Sequence, residues 1–104
     1  RRREMTKHRM REAELDESCI QDILKEMDKE GFKAKNFQLQ EDTVIIQFME
    51  TAGRGHSYLW FESESSEAGD HLQNYEEQGW HLQDYSAENG KVFFLFFRSG
   101  KRAE

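Results

Sequence analysis

The chain contains no proline, so nothing marks a stiff linker or a proline-rich tail. Its single cysteine, Cys19, cannot form an internal disulfide, and no Cys-x-x-Cys or Cys/His cluster with zinc spacing is present. A reducing, cytoplasmic setting is the simpler expectation. No apolar run approaches membrane-spanning length, and the basic opening RRREMTKHRM is not followed by the apolar segment of a signal peptide, so a soluble protein is expected. Cations are almost missing from one long stretch: between Thr51 and Gly90 only Arg54 stands among carboxylates such as Glu62, Glu64, Glu67, Asp70, Glu76 and Glu77. Such crowding reads as a solvated face before it reads as a phosphate mimic.

What is present points to one folded body. At 104 residues the chain suits a single domain. Its mean hydropathy is low, yet eight Phe, two Trp and three Tyr supply a packed interior. Residues 1 to 11 carry net charge +5, residues 12 to 97 carry −13 and residues 98 to 104 carry +2. The opening is therefore read as a basic, flexible arm over residues 1 to 15, with the domain over 16 to 98 and a tail over 99 to 104. The first methionine is Met5, so a processed or excised start is expected.

An internal repeat organises the domain. Displaced by 48 positions, Ile20 to Glu50 lies without gaps over Ala68 to Arg98, with identity at Asp22/Asp70, Leu24/Leu72, Gly31/Gly79, Val44/Val92 and Phe48/Phe96. Physical roles align as well: Phe32 over Trp80, Phe37 over Tyr85, VIIQFM over VFFLFF. Each copy, 16 to 50 and 66 to 98, reads as helix, strand, turn, strand. Ile20, Ile23, Leu24 and Met27 recur at helical spacing behind an Asp16 N-cap, and Gly31 ends the helix. In the second copy Ser65 or Ser66 caps, Ala68, Leu72 and Tyr75 form the stripe, and Gly79 stops it. Strands are expected over Phe32 to Leu39, Thr43 to Met49, Trp80 to Tyr85 and Val92 to Phe97, the last pair joined by the hairpin signal Asn89-Gly90. HSYLWFES, within the connecting segment 51 to 65, alternates as a fifth strand. The expected fold is α+β: order α-β-β-β-α-β-β, a five-stranded antiparallel sheet with two helices on one face. The second half, with Leu72, Tyr75, the Gly79-Trp80-His81-Leu82 strand and the aromatic closing strand, resembles small bacterial β-α-β-β families of unknown function. That resemblance implies a fold and no activity.

No constellation suits catalysis or metal binding, and neither an enzyme nor a cofactor is expected. His8, His56, His71 and His81 form no ligand pair, Gly53-Arg54-Gly55 opens no helix, and strand neighbours His56 and Ser57 point to opposite faces. Cys19 sits among acids that oppose a thiolate.

The strand KVFFLFFR poses the main question, because Val92 to Phe97 is apolar on both faces. One parity collects Val44, Ile46, Phe48, Val92, Phe94 and Phe96; the other collects Ile45, Met49, Phe93, Leu95 and Phe97. If both helices cover the first set, the second needs a cover. Residues 5 to 15 could fold over it, with Met5, Met10, Ala13 and Leu15, or strand twist could bury it. A second copy of the chain is the preferred cover, making Ile45, Met49, Phe93, Leu95 and Phe97 the candidate homodimer interface. The leading functional expectation is a homodimeric regulator or adaptor that binds another protein. The alternatives are nucleic-acid binding through Arg1, Arg2, Arg3, Lys7, Arg9 and Arg11, or a small-ligand site between sheet and helices.

Overall fold

A computed structural model describes residues 7–52 and 55–99. Their order is β1 (His8–Glu14), α1 (Glu17–Lys29), β2 (Phe32–Leu39), β3 (Thr43–Glu50), β4 (Ser57–Glu64), a 3₁₀ turn (Ser65–Glu67), α2 (Ala68–Glu77), β5 (His81–Glu88) and β6 (Lys91–Arg98). The α+β class and both helices agree with the sequence. The single five-stranded sheet does not. Six strands form two antiparallel sheets of three, ordered β1-β3-β2 and β4-β6-β5.

Local signals account for the elements. Asp16 adopts an extended conformation and accepts a hydrogen bond from Cys19 N at 3.1 Å, capping α1. Asn89 (φ 52°) and Gly90 (φ 78°) both take left-handed backbone, which a two-residue hairpin turn of this kind requires.

The extra strand lies in the segment expected to be a flexible arm. Residues 8–14 pair along β3 from His8↔Met49 to Glu14↔Thr43, whereas Arg1 to Thr6 lie outside the described residues. Charge hides the alternation. Arg9 and Arg11 occupy the positions opposite Phe48 and Ile46, on the face that α1 covers. Arg9 stacks 4.7 Å from the centre of the Phe32 ring, and Arg11 Nη1 lies 3.4 Å from Met27 Sδ. Their stems cover apolar surface while the guanidinium groups reach Glu30 (3.5 Å) and Glu26 (3.4 Å) at the rim.

With β1 in place, each half is a β-α-β-β unit. The ladder equates His8↔Met49 with Tyr58↔Phe97, so β1 maps onto β4 at an offset of 50 while the rest repeats at 48. The bulges repeat too, between Ala34 and Asn36 in β2 and between Leu82 and Asp84 in β5. These bulged outer strands are where the two sheets meet. Gln83 Nε2 donates to Lys35 O (3.0 Å) and Phe37 N donates to Asp84 Oδ2 (2.9 Å), so side chains replace a continuous ladder at the junction.

The doubly apolar β6 is covered on both faces from within the chain. Phe93 and Leu95 enter one core with Ile20, Leu24 and Met27 of α1 and Val44, Ile46 and Phe48 of the first sheet. On the other face Tyr75 of α2 packs on Phe61 (5.2 Å) and Phe96 (5.1 Å), and Phe96 on Phe94 (5.4 Å). The first sheet and its helix thus do what a second chain was expected to do. The flanking charges are fixed in place: Lys91 Nζ pairs with Glu62 (3.0 Å) and Glu64 (3.5 Å), and Arg98 lies over the Trp80 ring at 4.0 Å.

Candidate interaction surface

The two units meet through α1 and β2 of the first and β4 and β5 of the second. Trp60 of β4 meets Phe37 of β2 edge-on at 4.8 Å, and Tyr58 Oη accepts a hydrogen bond from Ala34 N at 3.0 Å. Strand β4 is an edge strand, and Gln21 of α1 caps its open side: Gln21 Nε2 donates to Tyr58 O (3.0 Å) and Gln21 Oε1 accepts from Trp60 N (2.8 Å). One primary amide therefore satisfies two backbone groups of a partly buried edge. Asp28 secures the connection between the units, accepting from Gly55 N (2.9 Å), His56 N (3.2 Å) and the His56 ring at Nδ1 (2.9 Å). Sequence reading missed both devices, because Gln21 and Asp28 stand in a helix with nothing nearby in the chain to mark their distant partners.

Tyr58 makes the unit contact sensitive to pH. Burial pushes its hydroxyl up to about 12; the hydrogen bond from Ala34 draws it back and the negative charge of Asp28 adds to the rise. A tyrosine in the unfolded chain ionises at about 10. The fold thus keeps its proton where the unfolded chain loses it, so this contribution is whole below pH ~10 and declines as pH rises towards ~12. Urea midpoints recorded between pH 9 and pH 11.5 (about the range of that titration) should fall more steeply for the wild type than for Tyr58→Phe. Equal slopes for the two proteins would remove Tyr58 as the cause.

The candidate interface residues of the sequence analysis are separated by the fold. Phe93 (7% exposed) and Leu95 (0%) are inside the shared core and are not available to a partner. Phe97 is half-buried between His56 (5.3 Å) and Tyr58 (5.8 Å), with Lys33 Nζ 4.7 Å from its ring centre. Ile45 and Met49 remain half-buried on the outer face of the first sheet. Among the proposed nucleic-acid contacts, Arg9 and Arg11 are ion-paired with Glu30 and Glu26, Lys7 is exposed, and Arg1, Arg2 and Arg3 lie outside the described residues. Cys19 is partly exposed, and its thiol is raised by desolvation first and then by Asp16, with Glu14 and Asp22 adding to the effect. His71 packs on Phe61 at 4.8 Å with Glu67 3.5 Å away. Among the described residues no group of three or more His, Cys, Asp or Glu side chains is placed to hold a metal ion, and no helix is long and apolar enough to cross a membrane.

Among the described residues an apolar groove lies open beside α2. With a volume of about 320 Å³, it runs between α2 and the second sheet, lined by Leu72, Leu82, Tyr85, Val92 and Phe94 with Ala68 and Gly69 at its helix side. Tyr85 is 60% exposed; Met10, on the outer face of the first sheet, is 66% exposed, and these are the two exposed large hydrophobic residues among those described. Sequence reading had paired Tyr85 with Phe37 but assigned it no role, since its exposure depends on how the units stack. No protein-family model, curated protein or solved structure matches the chain.

Proposed function

We propose that the chain is a protein-binding module, a regulator or adaptor acting through contact rather than chemistry, and that the groove beside α2 is its binding surface. The supporting observation is Tyr85: a large aromatic side chain held 60% exposed in the lining of an apolar groove, and with Met10 one of two exposed large hydrophobic residues among those described. Such a patch, fixed between a helix and a sheet, suits an aromatic or aliphatic anchor from a partner. Nucleic-acid binding has less support, since Arg9 and Arg11 are engaged by Glu30 and Glu26.

The test is affinity capture from native extract with wild type and Tyr85→Asp side by side. Tyr85 is exposed enough for the substitution to leave folding within about 0.5 kcal/mol, checked by thermal melting. Proteins held by the wild type should fall at least ~10-fold with the variant, as expected for loss of a hot-spot side chain. Identical captured sets would refute the reading.

A further inference from the structure

We infer that the occupant of the groove is the outer face of the first sheet of a second copy, so that chains stack head to tail through Met10 and Tyr85. This rests on the binding-module reading and supplies its partner.

The two units of one chain already display the contact. On the helix side of the groove, Ala68, Gly69 and Leu72 correspond at the 48-residue shift to Ile20, Gln21 and Leu24. On the strand side, Leu82, Tyr85, Val92 and Phe94 correspond to Ala34, Phe37, Val44 and Ile46. In the first unit that same surface is not open. Six of those seven counterparts are core residues, and the seventh, Gln21, holds the edge of β4. What fills it is the face of the second sheet bearing Tyr58, Trp60 and Phe93. By the ladder register, the counterparts of those three are His8, Met10 and Ile45, on the outer face of the first sheet. The exposed pair Met10 and Tyr85 thus stands in the places of the contacting pair Trp60 and Phe37.

In the unit contact β2 lies beside β5; in the stack, β5 of one copy would lie beside β2 of the next. The intermolecular contact is the weaker version, because Met10 replaces Trp60, His8 replaces Tyr58, and Gly69 stands where Gln21 would clamp the incoming edge. The groove and the Met10 face are different surfaces, so the contact is heterologous and propagates rather than closing in a pair.

Single-cysteine variants Met10→Cys and Tyr85→Cys, each with Cys19→Ser, test this by oxidation alone and mixed. Each alone should give little covalent dimer, and the mixture should give at least ~10-fold more, all of it joining the two variants, because neither surface meets itself in a heterologous contact. Like-with-like cross-linking of either variant, or a mixture no better than its parts, overturns the inference. Independently, Gly69→Gln should strengthen self-association by at least roughly fivefold in sedimentation velocity through two restored hydrogen bonds, with Gly69→Ala as the control for helix propensity. A Cβ at Gly69 meets nothing within 4 Å, so the change is accommodated. Equal strengthening by Ala and Gln counts against the clamp and the stack. If cross-linking fails while Tyr85→Asp still loses its captured proteins, only the self-stack is removed; if Tyr85→Asp loses nothing, the module reading itself is refuted.

Discussion

Replacing Trp60 by alanine is expected to lower folding stability by about 3–5 kcal/mol. The indole is 4% exposed, meets Phe37 at 4.8 Å and Phe93 at 5.9 Å, and joins the two sheets and α1 in one core. A domain of this size has a total stability of about 5–15 kcal/mol, so the loss would bring the fold close to its limit. Trp80 is the control. It is half-exposed beneath the Arg98 guanidinium, and its removal should cost about 1 kcal/mol. Urea denaturation with unchanged slope would report both values. A Trp60→Ala protein as stable as the wild type, or a Trp80→Ala protein that is worse, would contradict the shared core.

Leu95→Ser and Ile45→Ser should behave in opposite ways, although the two residues belong to one parity set of the sequence. Leu95 is 0% exposed, so the substitution removes a packed side chain and buries a hydroxyl, together costing about 4 kcal/mol or more. Ile45 is half-buried on an outer face, and its change should cost about 1 kcal/mol or less. Circular dichroism melts of the two variants check this directly. A folded, soluble Leu95→Ser protein with altered oligomeric mass would return Leu95 to an intermolecular interface and overturn the packing described above.

Much of the architecture was legible because short-range rules governed it. Asp16 as a cap and Asn89-Gly90 as a turn need only neighbours along the chain, the 48-residue repeat needs only the sequence laid over itself, and each has its structural counterpart. Strand β1 was not legible, because Arg9 and Arg11 fill inward positions with their aliphatic stems and read as polar. The division into two sheets was also hidden. Parity along β6 says that both faces must be covered, yet nothing in VFFLFF states that one cover is the other half of the same chain. The open groove suffered the same ambiguity: Phe37 and Tyr85 align as equivalents, and only the order of stacking buries one and exposes the other.

Shared completion of the first core has a consequence for biosynthesis. Four residues of the second half, Tyr58, Trp60, Phe93 and Leu95, belong to the core built on α1 and the first sheet. A ribosome delivers the amino-terminal half first, so Phe37 and its neighbours wait in water until translation has passed residue 95. The first of the two units made is therefore completed only after the second.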